Sequence, residues 1–269
     1  MSTSNSSEVP ATGPWGSPQP EPKPVPPAPP APRQHWAWTL VSSVIFAAFL
    51  WWRMGWMWAL AAMVGVFVHE YGHVLAINAA GSGPGRIHVV PFFGGAATMA
   101  RPPQSEFKSV LIALAGPAFG LIAAVPFFAA AWTTGDAHWF EGAFFIAAIN
   151  LLNLVPAPPL DGSKALGPVL GRIHPMLERA VLVAIGAAAA LWAVTHGEWL
   201  LAMVVGVTIG SSLTAPRLRP PTAPLAANEI LASLALYVAA VMICLAVLQG
   251  ATDGLGLPNP LAILGRFGA

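Results

Sequence analysis

Charge is what this chain has least of: Asp, Glu, Lys and Arg make up 9% of its 269 residues, against about a quarter in an ordinary soluble domain. Hydrophobic residues account for 56% and the mean hydropathy is +0.66, so composition alone points to a membrane protein. The net charge of +1, with no basic patch interleaved with aromatics, argues against a nucleic-acid partner. The single cysteine, Cys244, rules out an intramolecular disulfide and leaves the redox compartment open. No basic stretch followed by a short apolar run opens the chain, so a cleaved signal peptide is not expected. Nor is there room for a second soluble domain.

What the chain has is proline at one end and apolar runs after it. Residues 1–34 form a Pro-rich tail, including Glu21-Pro22-Lys23-Pro24-Val25-Pro26-Pro27, that buries too little apolar surface to offset its ordering entropy and is expected to be disordered or polyproline II. It reads as a solvated linker, with a PxxP ligand role as the other possibility. Apolar segments follow near Trp36–Trp52, Trp56–Ala80, Val110–Trp132, Phe140–Val155, Ala180–Val194, Trp199–Leu213 and Ile230–Leu248. The expected fold is therefore an all-α polytopic membrane protein of about six to seven transmembrane helices, with residues 35–250 as the membrane domain and 251–269 as a short tail. The shorter segments are expected to be tilted or broken. Tryptophans such as Trp51, Trp52, Trp56, Trp132 and Trp139 cluster at segment ends, where interface anchors belong.

Lysine and arginine give the orientation. With the tail in the cytoplasm, Lys23, Arg33, Arg86, Arg101, Lys108, Lys164, Arg172, Arg179, Arg217 and Arg219 fall on that side, leaving Arg53 and Arg266 opposite. Ten of the twelve basic residues thus share the side expected to be cytoplasmic.

Against this apolar background, Val68-His69-Glu70-Tyr71-Gly72-His73 stands out. Histidines four apart share a helix face, so His69 and His73 can bind one metal while Glu70 lies beside it as a base. Such residues are costly in lipid unless they serve a buried site. A catalytic zinc has three protein ligands and one open position, and the best third ligand is Asp161, which the orientation argument puts near the same membrane face. Just before it, Pro156, Pro158 and Pro159 remove backbone donors and break the helix. An extended peptide could pair with the freed backbone, and Asn153, one turn before the break, is placed to hydrogen-bond a substrate carbonyl. Earlier, Arg86 to Val90 and Gly94-Gly95 suggest a small hairpin with an exposed edge, the bland reading being an interfacial loop. His88, His138 and His174 read as interfacial or solvated, although His88 could approach the pocket, and Glu178 with Arg179 reads as a solvated helix start.

H-E-x-x-H in an apolar helix, followed by Asn153-Leu154-Val155-Pro156-Ala157-Pro158-Pro159-Leu160-Asp161-Gly162, resembles the site-2 protease family of intramembrane zinc metalloproteases. Gly94-Gly95 is similar to that family's membrane-associated β-hairpin, and Ala115-Gly116-Pro117 to its helix start, so about Val64 to Gly171 resembles the three-helix core (about 56–171). The resemblance implies one zinc per chain on His69, His73 and Asp161, Glu70 as catalytic base, and Asn153, Gly94 and Gly95 as substrate-binding positions. It implies transmembrane protein substrates, a lipid surround and a bacterial inner membrane, with the site toward the cytoplasm. The chain departs from the pattern at Gly120, where many relatives have Asn, and it shows no PDZ or cystathionine-synthase-type regulatory domain. A metal transporter or a catalytically silent binder of client helices are the competing classes. The first would spread polar residues over several helices and repeat internally, and the second would lose a motif residue; neither pattern is present. Substrate identity, activating signal and oligomeric state are not encoded in any motif.

Overall fold

The computed structural model describes residues 36–90, 94–156, 160–195, 206, 210, 222–260 and 263. The Pro-rich tail and nearly all of the Trp199–Leu213 segment lie outside them, as do Pro158, Pro159 and the side chain of His88. The remainder is mostly helical: α1 (Trp36–Met54), α2 (Trp56–Ala79), β1 (Arg86–Val90), β2 (Gly94–Thr98), α3 (Glu106–Ile122), α4 (Val125–Thr134), α5 (His138–Asn153), α6 (Asp161–Ile173), α7 (Pro175–Thr195) and α8 (Ala227–Gly254). Among the described residues, three helical stretches are long and apolar enough to cross a membrane: Trp56–Ala79, Glu106–Thr134 and Ala227–Gly254.

Local chemistry sets the ends of these elements. Gly55, at φ +96, separates α1 from α2. Ser105 caps α3 by accepting from the Lys108 N–H at 3.2 Å, with Glu106 in the first turn, where the helix dipole favours negative charge. Pro126 sits in the first turn of α4, and Gly135 ends that helix in the left-handed region, its N–H bonding Ala131 O. At α8 the Glu229 carboxylate accepts from the Ala226 N–H at 2.9 Å.

α2 is central, packing against α1, α3, α5 and the hairpin, while α8 packs against α3, α5 and α6. The core has two main parts. One joins Met57, Trp58 and Ala61 of α2, Phe127 of α4, Ala143, Phe144, Ile146 and Ala147 of α5, and Leu248 and Ala251 of α8. Its alanines let backbones approach closely, which is how helices adhere where lipid removes the hydrophobic drive. The other joins Val110, Ala113 and Leu114 of α3 to Leu154, Ala165 of α6 and Cys244 of α8. Between α2 and α5, the Trp58 indole N–H donates to Glu141 Oε2 at 3.0 Å.

The hairpin is a two-stranded antiparallel sheet in the register Arg86↔Thr98 to Val90↔Gly94. Asn78 Oδ1 accepts from the Gly85 N–H at 2.9 Å, tying the hairpin's entry to the end of α2. One helix was not marked by the apolar runs: α6, whose sequence mixes polar and apolar residues. Asp161, Ala165 and Val169, spaced by four, form its buried face.

Candidate metal centre

His69 and His73 lie one turn apart on α2, their rings nearly perpendicular, at 81°, and 4.8 Å between centroids. Asp161 opens α6. The three converge: Nε2 of His69 and Nε2 of His73 are 3.1 Å apart, and each is 3.0 Å from Asp161 Oδ2. All three residues are buried, with 4–6% exposed, and among the described residues they form the one cluster of three or more metal-binding side chains.

The outer contacts fix which atoms face inward. Asn150 Nδ2 donates to Ile146 O at 2.7 Å, so Asn150 Oδ1 is the atom that accepts from His69 Nδ1 at 2.9 Å. His73 Nδ1 donates to Ile112 O at 2.7 Å. With both Nδ1 positions committed to protons, both Nε2 lone pairs point at Asp161 Oδ2, and three acceptors meet where a cation is needed. A proton serves one pair; a divalent ion serves all three. Their spacing is close to the roughly 3.3 Å between ligands of a tetrahedral zinc with bonds of about 2.0–2.1 Å. Asp161 Oδ1 meets the Lys164 ammonium at 3.1 Å, leaving Oδ2 to the imidazoles.

Glu70 is buried beside the cluster, 6% exposed, and among the described residues its Oε2 has no hydrogen-bond partner. A buried carboxylate oxygen left unpaired is costly in a structural role and suits a group that handles water. The donor set, the committed Nδ1 atoms and this orphaned oxygen all fit a catalytic zinc.

Glycines on α3 make the room. A Cβ on Gly116 would overlap the His73 ring and stand 2.8 Å from His69 Nε2; one on Gly120 would overlap the Asn150 amide. Gly120, where an Asn was expected from the resemblance, is thus where the amide of Asn150 from α5 lies. Asn153 donates to Ile149 O of its own helix at 3.0 Å. Gly94 and Gly95 pair with Val90 and Val89 in the hairpin, whose second strand packs on α2. His138 is exposed and bonded to Asp136, and His174, also exposed, accepts from the Met176 N–H. Asn150 and Lys164 were not singled out from the sequence; a lone amide in an apolar run, three residues from another, has no spacing signature.

The fold and cluster define a class: a helical membrane protein with a buried cluster of two histidines and an aspartate that could hold a metal ion. A family model described as Peptidase M50B-like matches residues 40–158, which takes in His69, Glu70 and His73 and stops short of Asp161. The chain is 29% identical over 140 residues to the "Putative zinc metalloprotease Rip3" of Mycobacterium tuberculosis, covering 48% of this chain and 35% of that protein. It is 28% identical over 138 residues to the "Putative zinc metalloprotease sll0528" of Synechocystis sp., covering 49% and 36%. The match spans about a third of the length of these relatives. Together the matches bear out the resemblance to the site-2 protease family.

Proposed function

We propose that this chain is an intramembrane zinc metalloprotease that hydrolyses peptide bonds in or near the transmembrane segments of other membrane proteins. The observation that carries the reading is the meeting of His69, His73 and Asp161 at 3.0–3.1 Å beside the unpartnered Glu70 Oε2. His69, His73 and Asp161 would hold one zinc ion. Bound there, zinc would lower the pKa of water toward neutrality and polarise the scissile carbonyl.

The remaining work falls to the chain's own groups. Glu70, next to a ligand on the same helix, takes a proton from the attacking water and delivers it to the departing amine nitrogen. The water's oxygen joins the acyl carbon as the C–N bond breaks, so no acyl-enzyme is needed. Asn153 is proposed to orient substrate; one of its amide N–H groups is spent on Ile149 O, and the second can meet a substrate carbonyl. The edge of β2 at Gly94 and Gly95 is proposed to receive substrate as an added strand.

We further propose a membrane domain over residues 35–250 with six to seven spans and a catalytic core of about 56–171, flanked by a Pro-rich cytoplasmic tail (1–34) and a short tail (251–269), although α8 itself runs to Gly254. The basic residues favour a site toward the cytoplasm, and the bacterial relatives favour an inner membrane.

Replacing Glu70 with Gln tests the reading. Zinc should stay bound while cleavage of a transmembrane peptide by the purified protein falls by about 10²–10⁴-fold. Full turnover in the variant would remove Glu70 from the mechanism. Zinc bound by the unaltered chain with no cleavage of any transmembrane peptide would favour a silent binder of client helices.

A further inference from the structure

Leu154 follows α5 with a carbonyl that the chain ahead cannot satisfy in the usual way. The residue four positions on is Pro158, which has no N–H, so the bond that would continue the helix cannot form. The donor comes from elsewhere. Tyr237, half-buried on α8, donates its hydroxyl to Leu154 O at 2.6 Å.

That carbonyl also bears on the metal centre. A Cβ on Gly162 would overlap the carbonyl oxygens of Leu154 and Val155, so these oxygens lie directly against the residue that follows Asp161. Glycine is required there because the α6 backbone rests on the end of α5. Leu154, Ala165 and Cys244 close the contact in one buried cluster. A directed bond therefore runs from the last described helix to Leu154 O, and a van der Waals contact from that oxygen to the segment presenting Asp161.

We infer that Tyr237 is a positioning residue for the metal centre, its hydroxyl fixing the Leu154 carbonyl against Gly162 and thereby setting the approach of Asp161 Oδ2 to the two imidazoles. The inference rests on the proposed role of Asp161 as a metal ligand, and it gives α8 a part in the site that the ligand motifs do not disclose. Replacing Tyr237 with Phe keeps the ring and its packing and removes the hydrogen bond alone.

The test is cobalt(II) titration of the full chain, purified in detergent and stripped of metal, read by visible absorption and beside peptide cleavage. Tyr237→Phe should bind cobalt about 10-fold more weakly, with altered d–d bands and a lower kcat at unchanged KM. Leu248→Ala is the control: it removes a buried side chain of α8 that belongs to the other core cluster, and should lower thermal stability without changing cobalt affinity or spectrum. Unchanged affinity and spectrum in Tyr237→Phe, or an equal change in Leu248→Ala, would overturn the inference. Failure of the unaltered chain to bind cobalt would overturn the metal-centre reading, and this inference with it.

Discussion

Gly116 leaves the space that the two imidazoles of the proposed metal site occupy. A methyl group there would overlap the His73 ring and crowd His69 Nε2, and because these are side-chain ends they can yield while the backbone stays put. Gly116→Ala is therefore expected to fold with a thermal midpoint close to the unaltered chain's and to bind zinc at least about 10-fold more weakly, the scale on which contacts around a ligand act. A zinc titration checks it; unaltered affinity would show that the rings do not lie where the structure has them. The site residues differ in how readable they were. His69, Glu70 and His73 announce themselves by spacing on one helix, and Asp161 by its place after a proline-broken segment. Asn150 does not, because its partner His69 is 81 positions away and only the phase of α5 tells which of Asn150 and Asn153 faces the cluster. The carbonyl of Ile112, which fixes His73, carries no residue-type signal at all.

At the scale of elements, the apolar runs located the described helices with one exception. The segment Val110–Trp132 falls within one helical stretch, Glu106–Thr134, which a turn at Ala123–Ala124 divides into α3 and α4. The runs passed over α6, because an amphipathic helix with polar residues on its outer face has no long apolar run; the periodicity of Asp161, Ala165 and Val169 is the signal that would have found it. The start of α3 is a junction as well as a cap. The Glu106 N–H donates to Ala223 O at 2.9 Å, the Ala223 N–H to Gln104 O at 3.2 Å, and the Leu225 N–H to Glu106 Oε2 at 3.2 Å, so the segment leading into α8 is held to the start of α3. Ser105→Ala removes the cap on the Lys108 N–H and is expected to cost about 1 kcal/mol. The midpoint of unfolding in detergent reads this directly, and no shift would mean that the N–H finds another acceptor at no cost.

Over the whole molecule, the chain confines its buried polarity to a few places. The described helices otherwise present alanine and large apolar side chains, many of them exposed, such as Phe67, Trp132, Leu231 and Met242, as a lipid-facing surface requires. Two imidazoles and two carboxylates are expensive in such a setting unless an ion and a reaction repay their burial. This economy made the membrane class legible from composition, and the concentration of polar residues in two motifs favoured the proposed hydrolase over a transporter. The contacts that join α8 to the site were not legible, because Tyr237 and Leu154 are 83 residues apart and belong to unremarkable apolar text. The proposed mechanism stands on one zinc site formed by His69, His73 and Asp161. The measurement that tests it most directly is zinc content per chain in the purified protein and in its Asp161→Ala variant. About one zinc per chain is expected in the first and a large loss in the second; a metal-free protein, or a variant with undiminished zinc, would rule the site out.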